Sequence, residues 1–202
     1  AGALSLDVAS LGVDLMSLSA HKIYGPKGVG VLYVRRGVIL HPVVFGGGQE
    51  SGFRSGTENV PGCMGMAAAL ELAEAERTVT TARLTPLRDR LIAGVLDAWP
   101  QAHLTGHPTA RLPGHASFYL DHRSSESVLV DLDARGILCS SGSACHAGHS
   151  EPSHVLLATG LDRGPARNGL RMTLGSSTAD ADIDVVLDAV REVAGERVGV
   201  AG

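Results

Sequence analysis

Cysteine is scarce in this chain, with three residues in 202. Cys63, Cys139 and Cys145 are too few for a disulfide framework. An odd count favours free thiols in a reducing, cytoplasmic setting, one of them a candidate nucleophile. Long apolar runs are missing too. None approaches the roughly 18 residues of a membrane span, so a helical membrane protein is excluded. The apolar opening, residues 1–13, has no basic flank, and Asp7 and Asp14 interrupt it, unlike a signal peptide. Basic residues form no stripe and the net charge is −4, so there is no nucleic-acid footprint. Internal repeats, coiled-coil heptads and low-complexity tracts are absent. There is no initial methionine, and the first confident element already resembles an internal strand. The chain therefore reads as the remainder of a longer protein.

What is present suits one or two globular domains with a real core: 44% hydrophobic and 19% charged residues. Residues 14–18 read as a buried strand and residues 29–34 as a second, covered on both faces. These strands are expected to belong to a large parallel sheet. A polar, glycine-rich loop that reads as mobile follows over residues 46–57. Asn59 and Pro61 mark a helix start. That helix should run through Met64, Ala68, Leu72 and Ala75 and end near Arg77. Residues 78–83 read as a boundary, giving domains 1–80 and 81–202. A second helix carries Leu84, Leu87, Leu91, Val95 and Trp99 on one face. Beyond it the pattern alternates. Strands are expected at 116–120, 137–139 and 170–174, and helices at 125–135 and 152–159, closed by Gly136 and Gly160. Ser177 should cap a last helix with Ile183, Val186, Leu187, Val190 and Val193 on its apolar face. The fold class is α/β or α+β.

Three segments carry chemistry. Ser19-Ala20-His21-Lys22 sits between a strand and the turn Gly25-Pro26-Lys27-Gly28. A lysine at a strand end can reach a carbonyl, and its serine and histidine neighbours can hold an anion such as a phosphate. A solvated lysine is the plain alternative. Ser140 to His149 crowds small residues around Cys145, which is expected on an exposed loop where the thiol can travel to a substrate, with a buried cysteine as the plain alternative. A neighbouring histidine or helix end can favour its thiolate. Cys145, His146, His149 and His154 could also be read as metal ligands, but their spacing matches no standard zinc motif. Arg171, in the apolar strand Leu170 to Leu174, could grip a carboxylate with its planar fork or be an ordinary edge-strand arginine.

Together these segments resemble the cysteine desulfurase family of pyridoxal phosphate enzymes, which have the fold-type I aminotransferase architecture. The resemblance is carried by residues 19–28, Gly46-Gly47-Gly48-Gln49-Glu50 and Arg54-Ser55-Gly56-Thr57. It continues in residues 140–145, residues 151–156 and Leu170-Arg171-Met172-Thr173-Leu174-Gly175, in the family's order and spacing. It implies part of the large, mainly parallel-sheet domain in residues 1–80 and a small α+β domain in residues 81–202. By the same resemblance Lys22 would anchor the cofactor as an imine, and Ser19 and His21 would bind its phosphate. Thr57 would reach the cofactor of a partner subunit in a homodimer. Arg171 would clamp the carboxylate of L-cysteine, and Cys145 would take the sulfur as a persulfide. The products would be L-alanine and sulfur for an acceptor or iron–sulfur scaffold protein. No nucleic-acid or membrane partner is implied.

Two departures qualify this. The family's acid that pairs with the pyridine nitrogen lies upstream of the lysine segment. Ala1 aligns just after that region, so the chain resembles the C-terminal half, with little or no turnover expected of it alone. His146 follows Cys145 where many desulfurases carry Thr or Ser, a pairing similar to selenocysteine lyases. A truncated, non-catalytic scaffold is the further alternative.

Overall fold

The structure, a computed structural model, describes residues 1–141 and 151–195. It divides into two compact units, Ala1–Thr80 and Thr81–Gly202. In the first unit a single helical turn, α1 (Val8–Leu11), is capped by Asp7, whose carboxylate accepts from the Ala9 N–H at 3.0 Å. Strands β1 (Leu15–Ser19) and β2 (Gly30–Val34) follow, paired antiparallel with Leu15 opposite Val34 and Ser19 opposite Gly30. A parallel pairing is not possible between these two strands. Residues 20–29 are fewer than the dozen or more that a parallel crossover needs. Nor are the strands buried as expected: Leu15, Val31 and Leu32 are exposed, because nothing in this unit covers both faces of the pair.

Helix α2 (Val60–Ala98) is continuous over 39 residues. Asn59 starts it as expected, accepting from the Gly62 N–H at 3.1 Å. The helix does not end near Arg77. Residues 78–83 are polar but hold no glycine or proline, and nothing in them interrupts the hydrogen-bond ladder. Pro86 lies inside the helix. The buried stripe of the first half is Met66, Ala69, Leu70 and Ala73, packed with Ala20 and Ile23. Met64 and Leu72 face solvent, 68% and 61% exposed. Both stripes are apolar at helical spacing, so periodicity alone could not choose between them.

The second unit is an antiparallel sheet with strand order β3–β4–β5. Its strands are β3 (Ala102–Leu104), β4 (His115–Leu120) and β5 (Gly169–Thr173). Side chains alternate across a strand. Ala116, Phe118 and Leu120 of β4, with Leu170 and Met172 of β5, point into the core. There they meet Leu84, Leu87, Leu91, Val95 and Trp99 from the second half of α2 and its end. Helix α3 (Ser125–Asp133) adds Val128 and Leu132, and α5 (Asp180–Gly195) adds Ile183, Leu187, Val190 and Val193. The α2–α5 contact is close enough that a Cβ at Gly94 would stand 2.5 Å from Leu187. The short helix α4 (His154–Ala158) opens on Ser153, which accepts from the Leu156 N–H at 3.4 Å.

Two local expectations fail here. Residues 137–139 form no strand, and only Ser140 bridges to β5. Ser177 does not cap α5. The Asp182 carboxylate instead reaches back to the Ala179 N–H at 2.9 Å, satisfying an orphan donor of the first turn. Among the described residues no helix is long and apolar enough to cross a membrane.

Candidate active site

The backbone turns sharply where β1 ends. Ala20–Lys22 form one 3-10 turn, and the Ala20 carbonyl accepts from both the Ile23 and Gly25 N–H groups at 3.0 and 2.9 Å. The Ala20 N–H donates to the Val29 carbonyl at 3.1 Å. Ala20 itself is fully buried. A Cβ at Gly25 would stand 2.9 Å from that of Ala69 and 3.0 Å from that of Ala20, so only glycine lets this turn settle on α2. The buried alanine thus fixes the turn, and Ser19, His21 and Lys22 are left exposed around it. Among the described residues Lys22 has no ion-pair partner, and the side chains of Ser19 and His21 make no hydrogen bond. An uncommitted amine, hydroxyl and imidazole on one rigid turn are the donor set that an aldehyde bearing a phosphate requires.

Thr57 follows a closed loop in the same unit. Ser55 Oγ donates to the Val44 carbonyl at 3.2 Å, and the Gly56 N–H donates to Gln49 Oε1 at 3.2 Å. Thr57 is exposed, and among the described residues no hydrogen bond joins it to Ser19, His21 or Lys22.

Arg171 belongs to the second unit. It stands on β5 opposite Ser117, half-buried, on the sheet face away from the core. Its backbone is tied to Ser140 twice: Arg171 N–H to Ser140 O at 2.7 Å, and Ser140 N–H to Arg171 O at 3.0 Å. Cys145, with His146 and His149, lies outside the described residues. Among the described residues no group of histidine, cysteine and acidic side chains could hold a metal ion.

Four residues around Arg171 escaped the sequence reading. Arg111 donates to three backbone carbonyls: Thr105 at 2.7 Å, His107 at 2.9 Å and His115 at 3.3 Å. Arg88, only 5% exposed, holds the same loop through the Leu112 carbonyl at 3.1 Å and pairs with Asp89 at 2.6 Å. His107 accepts two backbone N–H groups on Nδ1, from Thr109 and Ala110. His115 lies on the outward face of β4 with Ser117 and Tyr119. The alternation His115-Ala116-Ser117-Phe118-Tyr119-Leu120 is the signal that could have placed it there.

Cys139 is half-buried and Cys63 exposed. Desolvation, with a smaller push from Asp133, raises the Cys139 thiol to about 11. The thiolate is the reactive form. Alkylation of Cys139 by iodoacetamide should therefore be negligible at pH 7–8 and rise about tenfold per pH unit toward pH 11. Peptide mass mapping across pH checks this, and rapid labelling of Cys139 at pH 7 would contradict it.

The chain matches the profile of the aminotransferase class-V family over residues 1–186. It is 46% identical over 192 residues to a cysteine desulfurase IscS from Methanosarcina thermophila, covering 95% of this chain and 47% of that one. It is 45% identical over 188 residues to an IscS-like cysteine desulfurase from Mycobacterium tuberculosis, covering 93% and 48%. A solved NifS-like protein superposes with a TM-score of 0.83 at 34% identity, over 95% of this chain and 49% of that one. The chain spans about half the length of the curated relatives it matches.

Proposed function

The chain belongs to the aminotransferase class-V family, among its cysteine-desulfurase-like, fold-type I members, and from that premise we propose that it serves the removal of sulfur from L-cysteine with pyridoxal phosphate. The observation that supports the reading is the pair of backbone hydrogen bonds that ties Ser140, in the motif read as preceding the nucleophile, to Arg171, the candidate carboxylate clamp. Residues 1–80 are read as the C-terminal part of the cofactor-binding large domain, and residues 81–202 as the small domain with the nucleophile.

The donor set at the end of β1 fits pyridoxal phosphate: Lys22 would hold it covalently, and Ser19 and His21 would hold its phosphate. When bound, the cofactor supplies an electron sink for bonds broken around the substrate's α-carbon. Lys22 Nζ, once released by substrate, serves as base and acid at that carbon. Arg171 orients the substrate by gripping its carboxylate through two parallel N–H bonds. The Cys145 thiolate attacks the substrate sulfur. A sulfur–sulfur bond forms as the carbon–sulfur bond breaks, and the carbon fragment takes up protons and leaves as L-alanine. Cys145 keeps the persulfide for an acceptor or iron–sulfur scaffold protein. Thr57 is read as reaching the cofactor of a second copy in a homodimer.

The test is to supply pyridoxal phosphate and L-cysteine to a protein that carries this chain together with the upstream half its relatives have, and to measure L-alanine alongside persulfide on the protein. Cys145→Ser is expected to lose the persulfide and to slow alanine release by at least about 100-fold, the scale of losing an activated nucleophile. Alanine production at an unchanged rate in Cys145→Ser would overturn the assignment. Turnover of L-selenocysteine but not L-cysteine would shift the substrate.

A further inference from the structure

The outward face of the β3–β4–β5 sheet carries a cavity of about 430 Å³, within the range of small-ligand sites. Arg111 and His107 of the 105–112 loop border it, with His115 and Ser117 of β4 and Arg171 of β5. Among the described residues no aspartate or glutamate lines it. A cavity bordered by two guanidinium groups favours an anion.

Within it His115 holds the pivotal place. It stands opposite Thr173, two residues from Arg171 on the neighbouring strand, so the two are diagonal neighbours on one face. The Arg111 guanidinium is anchored on the His115 carbonyl. Burial first, then the charges of Arg111 and Arg171, hold the imidazole below its ordinary 6.5, opposed only by a backbone hydrogen bond. Of the other elements at the cavity, α4 and its flanks present Ser153, Val155, Leu156 and Thr159, none of which titrates. Asp89, on α2, pairs with Arg88 and acts on Arg111 from behind. His107 is not a candidate for the same role. Two backbone N–H groups donate to its Nδ1, at 3.1 and 2.8 Å, so its ring is committed to holding the 107–110 turn.

We propose that His115 takes up a proton as a small carboxylate enters this cavity, so that anion capture at Arg171 and protonation of His115 are one coupled event. The incoming negative charge offsets the repulsion of the two guanidinium groups and favours the imidazolium. By linkage the imidazolium then favours the carboxylate equally. His115 thereby acts as a positioning residue for an amino-acid substrate, adding a third donor only when the ligand is in place. The proposal rests on the reading of Arg171 as the carboxylate clamp.

The probe is 3-sulfanylpropanoate, which has the carboxylate and thiol of cysteine without the amine. His115 is followed by NMR of its ring in the whole chain, with and without saturating probe, and assigned by His115→Asn. The expected result is a His115 titration moved to higher pH by the probe. Between the two midpoints the Kd should weaken by up to tenfold per pH unit as pH rises. In His115→Asn, binding should persist but lose that pH dependence. If the variant does not fold, the wild-type titration decides alone. Probe binding that Arg171→Ala abolishes, with an unmoved His115 titration, overturns the coupling and leaves the Arg171 reading intact. Absence of any probe binding overturns both.

Discussion

A Lys22→Ala variant is expected to lose the absorbance band that bound pyridoxal phosphate gives near the visible edge. With it, L-cysteine turnover by a protein that also carries the upstream half of its relatives should fall by at least the 10²–10⁴-fold that a positioned proton-transfer group contributes. The effect is expected to be large because the proposed reading gives one amine two duties, holding the cofactor and moving protons at the substrate carbon. The chain has only one other lysine, Lys27, and it sits in the exposed turn beside Gly28. Lys27→Ala is therefore the natural control and should keep the band. Borohydride reduction followed by peptide mass mapping should place the cofactor on residue 22. A label on Lys27, or an unchanged band in Lys22→Ala, would remove the assignment. Stability should hardly change, since the Lys22 side chain is exposed and unpaired among the described residues.

Phe118→Ala acts on the fold instead. Phe118 is fully buried in the middle of β4, under α2, α3 and α5. Truncation removes the transfer energy of the ring and leaves a cavity in a close-packed core, a cost of about 3–5 kcal/mol. At urea m-values of about 1–3 kcal/mol per molar, the unfolding midpoint should drop by more than about 1 M. Tyr119→Ala, one residue on and facing outward, should cost far less. Equal midpoints for the two variants would mean that β4 does not have the inward and outward faces described.

The legible parts of this chain share a cause. Ser19 to Gly28 could be read because a strand end and a tight turn are both local, and the buried Ala20 adds nothing that the residue order contradicts. Ser125 to Gly136 and the apolar face of α5 were legible for the same reason: caps and 3.6-residue periodicity act within a few turns. The misreadings are equally instructive. Ile137 to Cys139 has strand composition, but a strand needs a partner, and only Ser140 finds one. Residues 78–83 look like a break, yet a helix ends where a residue or a competing contact ends it, and polarity does neither. Met64 and Leu72 form as good a stripe as Met66 and Ala73. Which one is buried depended on where Ala20 and Ile23 came to rest.

Arg111 and His115 mark the limit most clearly. Nothing near Arg111 in the sequence says that its guanidinium closes on the carbonyls of Thr105, His107 and His115. Nor could His115 be seen to stand diagonal to Arg171, since 56 positions separate them and only strand register joins them. The sequence by itself determined the family, the order of the motifs and the reactive residue types, because these are properties of neighbours along the chain. Tertiary structure alone decided which apolar stripe is buried, where α2 runs, and which cations share a cavity with Arg171. Those depend on long-range packing and pairing, which no local pattern encodes.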